Sequence, residues 1–231
     1  MSLRQSARST RRFLVHRLIV NYGRYMSYSK WIDRINRRPL FQRFAEKNFS
    51  VPCFSSREAM WSFVASRRPM AIDYLEFGVH QGHSIFHFAG ENKLGNSRFF
   101  GFDSFAGLPE DWNSDFKFGH FDMGGQPPRT GEARVEFIVG SFQETLPKFV
   151  ANFKTDNPIV VHLDCDLYSS SLYCLTKLDT VLPPGTILIF DEFGDVQHEF
   201  RAVHDYLSSY RRGVSVLCSH DDFFAIAVEL Q

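Results

Sequence analysis

Apolar and polar residues alternate along this chain in two periods. Short stretches rich in apolar residues at 71–79, 98–102 and 135–139 read as strands, and the continuous runs at 159–161 and 187–190 have the β-branched and aliphatic content of neighbouring central strands buried on both faces. Between them lie segments of helical period, one starting near residue 84, one ending near residue 153, one over residues 168–178 and one over residues 197–210. In the last of these Phe200, Val203, Leu207 and Tyr210 share a face. Residues 214–218 and 223–228 read as two short strands joined through Ser219-His220-Asp221-Asp222, a natural hairpin. Upstream, residues 10–30 and 39–50 read as helices, the second with Leu40, Phe41, Phe44 and Ala45 on one face. Ser55 with Glu58 suggests a capping box for a helix that turns Met60, Trp61 and Val64 inward. Strands alternating with helices predict an α/β fold with a mostly parallel sheet and a C-terminal antiparallel hairpin. Ligands then bind at the carboxyl ends of the strands where the strand order reverses.

Charge divides the chain in two. The first fifty residues hold twelve Lys/Arg against Asp33 and Glu46, which leaves 14 Lys/Arg and 24 acids in the rest. A basic helical extension over residues 1–54 and an acidic body over residues 55–231 follow as the expected division. The favoured reading of the extension is helices packed on the body or on a second subunit, which allows a homo-oligomer. Peripheral contact with an anionic membrane is the sharper alternative. Arginine density alone locates no groove-reading element, so no nucleic acid partner is expected. Four cysteines without C-x-x-C spacing point to a reduced, cytoplasmic setting without zinc. The segment before Asp33 is acid-free and rich in Arg and Ser, which also leaves an organelle transit peptide open. No apolar run approaches the ~20 residues that span a bilayer.

The strand ends concentrate the polar chemistry. The run ending near residue 79 leads into Gly78-Val-His-Gln-Gly82, where glycines let a ligand approach the backbone and a helix N-terminus follows. The spacing Glu76-x-Gly78-x-x-x-Gly82 lacks the third glycine of the dinucleotide fingerprint, which counts against a nicotinamide dehydrogenase. Asp103 ends the next run, at the position where doubly wound folds bind ribose hydroxyls; with Ser104 it equally suits a cap or turn. Asp164, Asp166, Asp191 and Glu192 end the runs IVVHL and ILIF. If those strands are neighbours about 4.8 Å apart, four carboxylates share one small volume, which calls for a cation, shared protons or divergence into water. His162 and His198 read as structural. Residues 105–132, with Trp112, Phe116, Phe118 and Phe121 among glycines and prolines, are too long for an unstructured connection and read as a loop covering the substrate.

The segments YLEFGVHQG, FFGFDSFAGLPEDW, VGSFQETLP, VVHLDCDLYSSSLYCLTKLDTVLPPGTILIFDEF and FRAVHDY, spread over residues 55–230, together resemble the macrocin O-methyltransferase family. Its members are magnesium-dependent sugar O-methyltransferases that use S-adenosylmethionine and have the Rossmann-like class I methyltransferase fold. The resemblance implies that Glu76, Gly78 and Gly82 hold the methionine part of the cofactor, Asp103 with Ser104 the ribose, and Ser141 and Phe142 the adenine. It implies that Asp164, Asp191 and Glu192 hold Mg²⁺, with Asp164 also facing the cofactor and the reaction, and that Asp166 is the general base. The acceptor would be a hydroxyl of a sugar or other small molecule. Asp-Glu-Phe stands where Asp-Asp-Tyr is usual, and a Glu reaches farther than an Asp. A catalytically silent cofactor-binding protein is the rival from outside enzymology.

Overall fold

The computed structural model describes residues 28–231, with side chains described from residue 37. The helix expected over residues 10–30 lies almost wholly outside them. Helix α1 (Tyr28–Lys47) runs through Pro39 instead of starting there. A proline removes one helical hydrogen bond, yet Leu40, Phe41, Phe44 and Ala45 pack on the core just beyond it and hold the next turns in place.

The remaining elements are β1 (Cys53–Phe54), α2 (Arg57–Ser66), β2 (Asp73–Phe77), α3 (His83–Glu91), β3 (Arg98–Asp103), β4 (Val135–Val139), α4 (Phe142–Asn152), β5 (Ile159–Leu163), α5 (Tyr168–Leu178) with a 3-10 turn (Asp179–Val181) after it, β6 (Ile187–Phe190), α6 (Glu199–Tyr210), β7 (Val214–His220) and β8 (Ala225–Leu230). They build one eight-stranded sheet in the order β1-β7-β8-β6-β5-β2-β3-β4. Only β8 runs against its neighbours β6 and β7, so the sheet is mostly parallel with a C-terminal hairpin, as expected. Strand β1 has no apolar run to announce it; its two residues pair with the far end of β7. The expected strand over 71–79 is shorter at both ends, because Gly78 already takes a left-handed backbone at φ +88°. The first hairpin strand runs two residues longer than expected, the second is shifted by two, and the turn moves to residues 221–224.

All residues of β2, β5 and β6 are buried; β6 is apolar throughout, whereas β5 carries His162 and β2 carries Asp73 and Glu76 into the sheet. Successive side chains feed two cores. Leu75, Phe77, Val161 and Leu163 join the cluster under α4, α5 and α6, whereas Tyr74 and Val160 join the one under α2 and α3. Phe41 and Phe44 of α1 lie against Phe193, with ring centres 6.0 and 5.1 Å away. Phe41 also meets Phe200 of α6.

The cap of α2 sits one residue later than the Ser55/Glu58 spacing suggests. Ser56 Oγ accepts the Ala59 N–H at 3.2 Å and Glu58 falls at the second helical position. Removing a cap of this kind costs about 1 kcal/mol. Ser56→Ala should therefore lower the stability measured by urea unfolding by that amount, while Ser55→Ala leaves it essentially unchanged.

Candidate active site

Strand order reverses between β2 and β5: β3 and β4 follow on one side of β2, and the chain then crosses to β5 and β6 on the other. A cavity of about 630 Å³ opens at the carboxyl ends there, within the size range of small-molecule sites. Gly78, Asp103, Ser104, Ser141, Phe142, Asp164, Asp166, Asp191 and Glu192 all line it. Of the expected site residues only Glu76 and Gly82 do not. Glu76 is fully buried inside the sheet, where Tyr74 Oη donates to its Oε2 at 2.5 Å. Gly82 precedes α3 in a left-handed conformation, its missing side chain facing the Phe86 ring.

The glycine turn is pinned from two sides. A Cβ on Gly78 would overlap the Asp164 carbonyl, so the turn and the end of β5 pack backbone to backbone. Asp103 Oδ2 accepts the N–H groups of Val79 and His80 at 2.8 and 2.9 Å, and its Oδ1 accepts that of Phe105 at 2.8 Å. Three of the roughly four acceptor positions of this carboxylate are thereby used, leaving one for a ligand. Asp103 is thus a turn former as well as a strand-end acid. Ser104 Oγ accepts from Ala106 N, and Ser141 Oγ donates to Glu144 Oε2 at the start of α4.

Leu163 pairs with Phe190 across β5 and β6, so the acids that follow both strands converge. They form two overlapping trios, His162–Asp164–Asp191 and Asp164–Asp166–Glu192, each with ligand atoms within 4.8 Å of one another. Asp191 and Glu192 fall in different trios. Between them stands Arg57 at the start of α2, whose Nη2 lies 2.9 Å from Asp191 Oδ2 and 2.9 Å from Glu192 Oε1. Asp191 Oδ1 and Glu192 Oε2 remain buried without a hydrogen-bond partner. Hard carboxylate oxygens of this kind suit Mg²⁺. Behind them His162 is fully buried, with Nδ1 2.7 Å from Tyr74 Oη and Nε2 3.6 Å from Asp191 Oδ1. Glu199 Oε2 accepts the Glu192 N–H.

Crowding shows in the protonation equilibria. Burial, reinforced by the Asp191 charge, pushes Asp166 up to about 7, although Arg57 pulls the other way. Burial and Asp191 likewise push Glu192 up to about 8, and burial with the charges of Asp191 and Glu192 holds Asp164 well above the usual carboxylate range. Burial disfavours a charged His162, but the carboxylates of Asp191 and Glu76 outweigh it and raise the imidazole to about 9. One guanidinium and one imidazole therefore leave this cluster short of positive charge. Asp166 also takes a left-handed backbone at φ +60°, which Asp tolerates better than most residues.

Residues 105–132 have no helix or strand of their own, and their first part, from Gly107 to Phe121, contributes to the cavity wall. Trp112 stacks on Phe116 at 5.1 Å and Phe116 on Phe121 at 5.6 Å, and all three line the cavity. Phe118 instead points to solvent, 74% exposed. Trp112 Nε1 donates to Asp195 Oδ2 at 3.3 Å and Ser169 Oγ donates to Glu110 Oε1 at 2.6 Å, which tie the loop to the elements beyond β5 and β6. Arg57, Ser169 and Asp195 escaped the sequence reading, since partners 59 to 135 residues away leave no local signal.

Residues 75–193 match the methyltransferase domain family. A curated relative, the 8-demethyl-8-(2,3-dimethoxy-alpha-L-rhamnosyl)-tetracenomycin-C 4'-O-methyltransferase of Streptomyces olivaceus, is 37% identical over 78 residues; the aligned stretch covers 33% of this chain and 28% of the relative. The match thus spans little more than a quarter of that protein's length. Among solved structures, the calicheamicin methyltransferase CalS11 superimposes with a TM-score of 0.57 at 20% identity, covering 82% of this chain and 90% of its own. The O-methyltransferase NovP gives 0.56 at 19% identity, with 75% and 78% covered. At these identities the two structures speak for the fold.

Proposed function

This chain belongs to the methyltransferase domain family, and from that premise we propose that it moves a methyl group from S-adenosylmethionine to a hydroxyl of a sugar or other small molecule, with residues 55–231 as the catalytic unit. The observation that carries this reading is the meeting of the glycine turn and the four acids in one cavity at the reversal of strand order. The curated relative's name, that of a 4'-O-methyltransferase acting on a rhamnosyl group, supports a sugar hydroxyl as acceptor.

In this reading Gly78 lets the methionine part of the cofactor lie against the turn, with Gly82 and the start of α3 beyond it. Glu76 acts from beneath, holding the end of β2 through Tyr74. The free acceptor position of Asp103 takes a ribose hydroxyl, with Ser104 beside it, and Ser141 and Phe142 flank the adenine. Bound S-adenosylmethionine supplies an electrophilic methyl group.

Asp164, Asp191 and Glu192 would hold Mg²⁺, which when bound supplies positive charge that favours an alkoxide. The buried oxygens of Asp191 and Glu192 that accept no hydrogen bond, together with the crowding of the acids, fit such an ion. Asp166 accepts the acceptor's hydroxyl proton. A carboxylate buried at the cavity floor is suited to that step, since general-base help requires direct contact with the proton and is worth about 10²- to 10⁴-fold. Trp112, Phe116 and Phe121 exclude water from the reacting groups and present stacked faces to the acceptor.

Labelled methyl transfer from S-adenosylmethionine to a panel of sugar and phenol acceptors tests the reading, run with Mg²⁺ and with EDTA. Transfer to a hydroxyl that stops in EDTA is expected, while undiminished transfer in EDTA removes the metal. Calorimetry showing tighter binding of NAD than of S-adenosylhomocysteine would overturn the methyltransferase assignment itself.

A further inference from the structure

Arg57 is the one site residue whose side chain stands in the way of the others. Its Nη2 touches both Asp191 and Glu192, the two acids that have to converge if a single cation is to hold both. We propose that Arg57 is a displaceable counter-ion: it neutralises the Asp191/Glu192 pair in the metal-free protein and swings away when a divalent cation binds. This inference rests on the metal reading of the site given above.

The geometry of the contact argues for exchange. A lasting arginine–carboxylate pair uses the planar fork, two parallel N–H groups on one carboxylate. Here one nitrogen is shared between two carboxylates, and Arg57 Nε is buried with no hydrogen-bond partner. The guanidinium is therefore used as a point charge, a role that a metal ion fills with more charge and less bulk. Arg57 engages only one oxygen of each carboxylate: Glu192 Oε2 is buried without a hydrogen bond, and Asp191 Oδ1 has only His162 Nε2 at 3.6 Å.

The arginine has room to leave. Its side chain is 36% exposed and forms part of the wall between the main cavity and a second one of about 240 Å³. Besides Asp164 and Asp191 themselves, that second cavity is lined by Glu58, Trp61, Gln81 and His83, and the Glu58 carboxylate, now 3.7 Å from His83 Nε2, can receive the guanidinium. The face of Phe224, 5.8 Å from Arg57 Cζ, flanks the present position without a hydrogen bond.

Two positive groups a few ångströms apart repel, so an arginine that must retreat weakens metal binding. Manganese titrations followed by electron paramagnetic resonance should show Arg57→Gln binding Mn²⁺ about tenfold or more tighter than the wild type. Metal-free Arg57→Gln should also melt lower than the wild type and regain the difference on addition of Mg²⁺. In the wild type, phenylglyoxal labelling of Arg57, read by mass spectrometry of its peptide, should accelerate several-fold when Mg²⁺ is added. Equal or weaker Mn²⁺ binding by the variant, with the wild type binding, overturns the counter-ion role and leaves the metal site standing. Absence of binding by both proteins removes the metal reading and the counter-ion role with it. Labelling that Mg²⁺ slows or leaves unchanged overturns the displacement even where the variant does not fold.

Discussion

Asp166→Asn is expected to slow methyl transfer by about 10²- to 10⁴-fold while leaving S-adenosylhomocysteine binding and the fold intact. Asparagine is the substitution that isolates the chemistry. It has nearly the shape of Asp, cannot take the hydroxyl proton, and shares the tolerance for the left-handed backbone found at φ +60°. Alanine would add backbone strain and blur the result. The carboxylate at this position is held up to about 7 first by burial and then by the Asp191 charge, so its ionised form is disfavoured in the folded protein. Removing that charge relieves repulsion within the cluster, and the melting temperature should stay level or rise. Single-turnover transfer, calorimetry and a melting curve on the same variant separate the possibilities. A variant that loses cofactor binding together with rate would reassign Asp166 to holding the cofactor.

Gly78→Ala should abolish cofactor binding and destabilise the protein by about 3 kcal/mol, lowering the melting temperature by about 6–12 °C. Two penalties combine there. The backbone sits at φ +88°, where any side chain is strained, and the new Cβ meets the Asp164 carbonyl, which is backbone and cannot turn aside. Gly119→Ala is the matched control, since its φ of +78° carries the strain but nothing lies within 4 Å of the added carbon. The control should lose only about 1 kcal/mol, and the difference between the two melting curves measures the clash. Equal losses in both variants would mean that the turn and β5 are not locked together.

Long apolar runs made the centre of the sheet legible in the sequence. Burial on both faces writes β5 and β6 as almost wholly hydrophobic stretches, and acids directly after them declare the strand ends, whereas β2 is marked by the glycine turn that follows it. The long loop after β3 could be recognised from its length and its Trp and Phe residues, though only contacts distinguish Phe116, which faces the cavity, from Phe118, which faces water. Edges and helix starts were less readable. Strand β1 is two residues whose only reason to be extended is β7, more than 160 positions away. The cap of α2 moved from Ser55 to Ser56 because neighbouring serines offer the same hydroxyl and tertiary packing chooses between them. Arg57 was invisible for a related reason. An arginine opening a helix looks like a solvated surface residue until β6 delivers Asp191 and Glu192 to it.

The aromatic contact between α1 and the residue following Glu192 has a consequence for the order in which the protein assembles. Phe41 and Phe44 are synthesised early, but Phe193, Phe200 and Phe223, the rings they rest on, emerge about 150 residues later or more. Closing so long a loop is entropically unfavourable until the sheet exists, so α1 docks only after β6 and the residues behind it are in place, although it precedes them in the chain. Until then its apolar face is open to other chains, and the floor beneath the Asp191/Glu192 pair lacks its backing. Completion of the acid cluster is thereby tied to completion of the whole fold: a chain that has built its sheet but has yet to dock α1 carries every proposed site residue and no finished site.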